Sequence, residues 1–261
     1  MSKKVSIIIP TYNGEKYIRE TIDSCLNQSH EDIEVIVIDD CSSDNTVKIL
    51  KSYEDKINLT VNKTNKGIVK NLNSVTLRLE SDYFIFLGHD DILPKNHIEI
   101  MLSEFDDDTV AVHCNSILID GNGNEIKLNR SDDKQIQKTN NCMFELSIDN
   151  FVSSCGMLHR TEIFQKLNGW DERYKNYGEW LYYIKALQFG SIKYTTKTKA
   201  YYRRHETNIT NTFKKKNVKK SLNKYKKECR NLAHTLNQNS LDENIKYYIN
   251  ELKLTIKGLI R

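Results

Sequence analysis

Two pairs of adjacent carboxylates stand where apolar runs end. YFIFLGHDDILP, residues 83 to 94, carries a hydrophobic stretch into Asp90 and Asp91, and the run from Ile33 to Ile38, interrupted only by Glu34, stops at Asp39 and Asp40. A buried strand that emerges into paired charge at a sheet edge offers hard anionic oxygens to Mg2+ or Mn2+, and through the ion to a diphosphate. For Asp90 and Asp91 the competing reading is an acidic turn that caps a helix opened by Pro94. Four carboxylates on one rim repel one another unless a cation or a donor-rich ligand sits among them. A site therefore accounts for both pairs better than two caps do.

Sharing one rim requires strands that alternate with helices. Val5 to Ile9 reads as a buried strand and Pro10 to Gly14 as the turn after it. Tyr17, Ile18, Ile22, Cys25 and Leu26 follow at helical spacing, to a stop near Gln28. After the second strand, Asp44 is the expected N-cap of a helix containing Val47, Ile49 and Leu50, and Ile57 to Val61 a third strand. Ile68, Leu72, Val75 and Leu79 mark a third helix before the strand that reaches Asp90. Such alternation predicts parallel β-α-β units, in which ligands bind outside the carboxyl ends of the strands. A dinucleotide or P-loop site is excluded on motif: no G-x-G-x-x-G follows the first strand and no G-x-x-x-x-G-K-[ST] occurs.

Composition sets the outer bounds. With 261 residues and 38% hydrophobic content, one main domain and an appendage are expected. No apolar run approaches the roughly 20 residues of a membrane span. The run near the N-terminus is shorter than the apolar core of at least about 7 residues that a signal peptide needs, which gives a cytoplasmic expectation. Six cysteines lie scattered without a C-x-x-C pair, so reduced thiols are expected and not a zinc knuckle or a disulfide framework. The net charge of +4 hides an asymmetry, because residues 214 to 261 sum to +9 and the first 213 to −5.

VSIIIPTYNGEKYIRETIDSCLNQSHEDIEVIVIDDCSSDNT, the NKG of Asn65 to Gly67 and YFIFLGHDDILP together resemble the N-terminal half of the inverting family 2 glycosyltransferases, which have the GT-A fold; the likeness covers about residues 4 to 210. It implies an α/β/α sandwich with a mostly parallel central sheet. It further implies that Asp40 binds a nucleotide base beside Asp39, that Pro10, Thr11 and Tyr12 close over the base, and that Asn65 and Gly67 belong to the same nucleotide site. Asp90 would bind the ribose and Asp91 a Mn2+ or Mg2+ ion. Gly88 departs from the commonest family pattern, D-x-D-D, by replacing its first Asp, which weakens the inference to a metal; His89 reads as a filler of the rim.

Further along, Val110 to Ile119 is an expected strand, and Asp120-Gly121-Asn122-Gly123 a turn that closes a hairpin. NRSDDKQIQKTNN, residues 129 to 141, is polar and aperiodic and reads as a mobile loop over the acceptor side. Phe151 to Arg160 resembles the family strand before the catalytic helix, with Thr161 as N-cap of the next helix. Trp170 and Asp171 match an element that lines the acceptor pocket, although Trp170 fits a core equally well. Tyr177-Gly178-Glu179-Trp180 opens a helical pattern through Tyr183, Ile184 and Leu187. Glu179 is by resemblance the general base, with Asp171 its rival. The family usually has Glu-Asp where this chain has Gly178-Glu179, so the base is one methylene longer. Tyr201 to His205 resembles a Y-R-x-H segment, which implies His205 near the metal and Arg203 and Arg204 on a departing diphosphate, against the plainer reading of a surface histidine beside two arginines.

Past Phe213 the pattern changes. Val218, Leu222, Tyr225, Cys229, Leu232 and Leu236 form one apolar seam on a lysine-rich helix; Ser240-Leu241-Asp242-Glu243 has capping-box spacing, and Ile245, Tyr248, Leu252, Ile256 and Leu259 form a second seam. A helical hairpin is predicted, as a unit of residues 214 to 261 behind a catalytic domain of 1 to 213. It either packs on that domain or holds an anionic membrane surface at the inner face of the plasma membrane. Nucleic acid is not an expected partner, because the lysines are not interleaved with stacking aromatics. The resemblance thus implies a metal-dependent transferase that moves sugar from a nucleotide-diphosphate donor, a UDP-sugar first, to a glycan or lipid-linked oligosaccharide in surface polysaccharide or O-antigen synthesis. The alternatives are a sugar-nucleotide-binding module with little turnover and a nucleotidyltransferase, the latter lacking its usual Gly-rich basic first loop.

Overall fold

A computed structural model of the chain describes residues 3–174, 176–208 and 216–259. Eight strands form one sheet in the order β3-β2-β1-β4-β7-β5-β6, with β8 on the other edge of β5. The strands are β1 Val5–Thr11, β2 Ile33–Asp39, β3 Asn58–Val61, β4 Tyr83–Phe86, β5 Thr109–Ile119, β6 Glu125–Leu128, β7 Leu158–Arg160 and β8 Ser191–Arg203. β1 runs parallel to β2 and β4, β2 to β3, and β5 to β8, whereas β7 and β6 are antiparallel to their neighbours. The expected α/β/α sandwich is the fold of the chain.

Alternation along β1 builds both cores at once. Val5, Ile7 and Ile9 point to one face, among Ile18, Ile22 and Cys25 of α1 (Ile18–Leu26), Leu50 of α2 (Thr46–Lys51) and Ile98 and Met101 of α4 (His97–Ser103). Ile8 points to the other, among Val69 and Leu72 of α3 (Ile68–Thr76), Leu146 of α6 (Cys142–Ile148), Phe164 of α7 (Thr161–Lys166) and most of α8 (Glu179–Ala186). Each of these isoleucines is fully buried, a transfer contribution of roughly 2 kcal/mol apiece. A charge at Ile8 would break the sandwich at its centre.

Several boundaries differ from the sequence reading, each for a local reason. β1 continues through Pro10 and Thr11, which pair with Ile38 and Asp39. The proline is tolerated because β4 has already ended at Phe86, opposite Ile8, so no ladder bond is lost there. Asn45 and not Asp44 is the N-cap of α2; Asp44 Oδ1 instead accepts from the Thr46 N–H at 2.9 Å. Arg160 and not Thr161 precedes α7, and only Leu158–Arg160 of the expected strand pairs. The stretch read as a mobile loop contains α5, Asp132–Thr139, capped by Ser131. It lacks an apolar period because polar bonds hold it: Asp132 Oδ1 accepts from Asn115 Nδ2 at 2.7 Å and from the Tyr194 hydroxyl at 2.5 Å.

Two C-terminal helices follow, α9 (Lys216–Leu236) and α10 (Leu241–Leu259). The boundary expected at 213/214 lies outside the described residues. Tyr225, Cys229 and Ala233 of α9 are buried in the same core as α8, so this helix is part of the body. The second seam behaves differently: Leu241, Ile245, Tyr248, Leu252 and Ile256 are exposed.

Candidate active site

The carboxyl ends of β1, β2, β4 and β8 lie on one rim, where Asp39 and Asp40 follow β2, Asp90 and Asp91 follow β4, and His205 contacts Asp90. Asp39 is wholly buried at the end of β2, and its Oδ2 accepts from the Ser42 N–H at 3.0 Å. Its Oδ1 and the buried Thr11 Oγ1, its register partner on β1, have no hydrogen-bond partner among the described residues. Each such orphan costs about 1–3 kcal/mol. Asp40 is spoken for: its Oδ1 accepts from Lys66 N at 2.8 Å and Asn62 Nδ2 at 3.1 Å, its Oδ2 from Gly67 N at 2.9 Å. Asn65 Nδ2 donates to the Asp40 carbonyl at 3.3 Å. Asp40, Asn65 and Gly67 therefore form one unit that shapes the pocket wall, while Tyr12 lies open at the rim with 49% exposure.

At the end of β4 the chain turns at Gly88 and both carboxylates fold back over it. A Cβ on Gly88 would lie 2.8 Å from Asp91 Oδ2 and 2.9 Å from Asp90 Oδ1. The two carboxylates thus pack directly against the glycine, and any side chain at this position would collide with them. Asp90 Oδ2 is 2.7 Å from His205 Nε2 and accepts from Asn208 Nδ2 at 2.9 Å. Asp91 is buried; its Oδ1 accepts from Arg203 N at 3.0 Å and its Oδ2 from the Cys155 thiol at 3.5 Å. Burial, then the Asp90 charge, push the Asp91 carboxyl well above the ordinary carboxylate range. Among the described residues no three His, Cys, Asp or Glu side chains form a complete cage for an ion. Two hard oxygens with an imidazole alongside nevertheless fit Mg2+ or Mn2+, which bind through one or two carboxylates and complete their shell with water and substrate phosphates.

Arg203 departs from its expected role. Its side chain is buried, with Nε donating to the Asp90 carbonyl at 2.9 Å, Nη1 to the Asp120 carbonyl at 3.2 Å and Nη2 to Glu20 at 2.5 Å. It holds the Asp90-Asp91 turn from inside and does not face outward toward a diphosphate. Arg204 is exposed and lies over the Tyr202 ring. His89 fills the rim as expected, its imidazole lowered by burial and hydrogen-bonded to the Pro10 backbone. Glu20, Asn62 and Cys155 were not foreseen. Asn62 alone carried a signal, as a polar residue at the end of an apolar strand.

Helix starts supply the remaining residues. Trp170 is buried against Phe86, with its backbone N–H on Asn73 Oδ1 at 2.9 Å, so the core alternative describes most of its surface. Trp170 also explains Gly178, because a Cβ there would sit 2.9 Å from the tryptophan Cβ. Glu179 opens α8, where its Oε2 accepts from the Gly178 N–H at 2.9 Å. Burial raises its carboxyl above the usual range, against backbone hydrogen bonds and the Lys226 charge that lower it. Asp171 is clamped by the Arg173 guanidinium, which also binds Glu228, and this lowers its proton affinity. α9 braces this region: the Tyr225 hydroxyl accepts from the Leu181 N–H at 3.1 Å, Tyr177 meets Ser221 at 2.8 Å and Tyr174 meets Glu228 at 2.5 Å.

Comparison with known proteins places this rim in context. An uncharacterised glycosyltransferase of Rickettsia typhi is 34% identical over 215 residues, 81% of this chain and 67% of that protein. Among solved structures, residues 1–349 of Staphylococcus aureus TarS in complex with UDP-GlcNAc are similar, with TM-score 0.65 and 26% identity over 80% of this chain and 61% of that one. The mannosyltransferase PcManGT of Pyrobaculum calidifontis, in complex with GDP-Man and Mn2+, shares the fold at 15% identity and TM-score 0.60, over 99% of this chain and 81% of that one. The family model for glycosyl transferase family 2 matches residues 6–167, the segment that contains both carboxylate pairs and the loop that pins Asp40, and the chain belongs to that family.

Proposed function

We propose that this chain is an inverting, metal-dependent transferase that moves a sugar from a nucleotide-diphosphate donor, a UDP-sugar first, to a hydroxyl of a glycan or lipid-linked acceptor. The observation that carries the reading is the pair of carboxylates at the turn after β4, Asp90 and Asp91, both folded over Gly88, with His205 against Asp90. Complexes of TarS with UDP-GlcNAc and with UDP support the choice of nucleotide. Asp39 and Thr11, with their orphaned oxygens, accept the donor groups of the base, and the Asp40 loop and Tyr12 bound it.

Asp91 and His205 would hold the divalent cation, which would supply charge neutralisation of the diphosphate leaving group. The acceptor oxygen forms its bond to the anomeric carbon as the bond from that carbon to the diphosphate breaks, and Glu179 takes the proton on its carboxylate. A raised proton affinity suits that task, since a base works best with a pKa near the operating pH. Glu179 must first leave the Gly178 N–H. Asp171, held by Arg173, is the weaker candidate. Arg204, exposed beside the site, is the remaining cation for the departing diphosphate.

One feature favours a second reading, a binding module with little turnover: the Glu179 carboxylate is engaged by the Gly178 N–H. Incubating the full chain with UDP-sugars and Mn2+ and following UDP release separates the two. Mn2+-dependent release supports transfer; Mn2+-dependent UDP binding without release from any sugar nucleotide supports the module; UDP binding indifferent to Mn2+ overturns the metal site.

A further inference from the structure

Three turns of chain meet on one guanidinium. The Arg203 side chain is 1% exposed, and its Nε, Nη1 and Nη2 donate to the Asp90 carbonyl at 2.9 Å, the Asp120 carbonyl at 3.2 Å and Glu20 Oε2 at 2.5 Å. Asp90 belongs to the turn after β4, Asp120 to the turn between β5 and β6, and Glu20 to the first turn of α1. Tyr17 stands three residues before Glu20 and so on the same side of the helix start. Its ring lies against the guanidinium, with 4.8 Å from the ring centroid to Arg203 Cζ, and against His205, with 4.8 Å between the two ring centroids. The β5-β6 turn closes tightly on this residue, since a Cβ on Gly121 would stand 3.1 Å from the Tyr17 hydroxyl.

We infer that Tyr17 and Glu20 are positioning residues for the Asp90-Asp91 turn: they seat Arg203 and His205, which fix both carboxylates in the arrangement that takes a divalent cation and a diphosphate. A buried positive charge needs a partner, and Glu20 supplies it. Arg203 then reaches the turn twice. Its side chain holds the Asp90 carbonyl and its backbone N–H donates to Asp91 Oδ1 at 3.0 Å, so a tilt of the guanidinium moves both residues. His205, on the same tyrosine ring, adds a third hold with its Nε2 2.7 Å from Asp90 Oδ2. A guanidinium is a planar fork whose donors keep fixed angles, which lets it register three segments at once where a lysine would not. The Glu20 side chain is 54% exposed, so the seat can be opened from outside without cutting into either core. The inference rests on the reading of this turn as the cation and diphosphate site.

Glu20→Ala in the full chain is the direct test, read by two measurements. Calorimetric titration of UDP in the presence of Mn2+ should give an affinity about 10-fold weaker than that of the parent, the effect of losing one hydrogen bond to a charged group. Hydrogen exchange of the metal-free chain should show the amides of Asp91 and Arg203 exchanging about 10-fold faster, with those of Ile8 and Val37 at parent rates. Faster exchange confined to the rim marks a loosened turn, whereas a weakened fold moves the core amides as well. Glu20→Gln keeps an acceptor oxygen for Nη2 and should recover part of both losses. Tyr17→Phe keeps the ring and should behave as the parent; Tyr17→Leu should follow Glu20→Ala. Parent values of either quantity in Glu20→Ala overturn the inference, as does an acceleration shared by the core amides. UDP binding by the parent that ignores Mn2+ overturns the metal reading instead, and the exchange rates, taken without metal, still decide the seat.

Discussion

The strand-end half of the site and the helix-start half are held in different ways. Asp39, Asp40, Asp90 and Asp91 stand at the ends of strands whose register fixes their backbone; backbone N–H groups of Ser42, Lys66, Gly67 and Arg203 hold oxygens of Asp39, Asp40 and Asp91, while the side chains of His205 and Asn208 hold Asp90. Glu179 and Asp171 stand on short or irregular segments braced by side chains of α9, through Tyr225, Ser221 and Glu228. A backbone frame tolerates changes of neighbouring side chains. A frame of side chains shifts with them. On the function proposed above, the first half would meet the constant nucleotide diphosphate and the second the acceptor.

Substitutions that keep the fold should divide along this line. Asp91→Ala should have the largest effect, a loss of transfer of roughly 1,000-fold or more together with the Mn2+ requirement of UDP binding. Retention of both in a calorimetric titration and a UDP-release assay would move the site elsewhere. Glu179→Gln should lower kcat by roughly 100-fold while UDP affinity is unchanged. It should also alter the pH response. Burial raises the folded-state carboxyl, so the parent loses activity as pH falls through that raised value, and the acid limb of its profile should lie above the ordinary carboxylate pKa of about 4.3. Stability has the opposite slope: a raised acid stabilises the fold while protonated, and the contribution fades as pH rises from the unfolded value through the folded one. Glu179→Gln should flatten both curves, and its melting temperature at neutral pH should be at or above that of the parent.

Glu179→Asp is expected to cost about 10-fold in kcat, as a pocket fitted to the longer side chain loses reach. Tyr225→Phe removes the hydroxyl on the Leu181 N–H, for about 1 kcal/mol of stability. It should lower transfer a few-fold and leave UDP affinity alone; a matching loss of UDP affinity would erase the distinction between the two halves. Asp171→Asn should have the smallest effect. A larger loss there than in Glu179→Gln would transfer the role of base to Asp171.

How much of this was readable follows from what each residue depends on. Asp39, Asp40, Asp90 and Asp91 were legible because continuous apolar runs announce buried parallel strands and their ends define the rim. Gly88 was legible as a departure, but the folding of both carboxylates over it was not, since their directions are set by distant residues, His205 and Asn208 for Asp90 and Arg203 and Cys155 for Asp91. α5 was missed because its stability comes from Asn115 and Tyr194, which belong to other elements. The two C-terminal seams have the same spacing, yet Tyr225 and Cys229 are buried while Ile245 and Leu252 face out. Periodicity gives a helix an apolar side; only the remainder of the fold determines what that side meets.

The cross-brace at Arg203 also sets an order of events. Its guanidinium joins the Asp90 turn, Asp120 and Glu20, the last of these 183 residues earlier in the chain. During synthesis the first four strands can pair long before residue 203 exists, but the carboxylate turn lacks its internal clasp until then. Closing so long a loop carries a large entropic cost and belongs to the late stages of folding. The nascent protein should therefore pair its first strands before its rim is clasped. Pulse-labelled hydrogen exchange during refolding should find the amides of Asp91 and Arg203 protected after those of Ile8 and Val37.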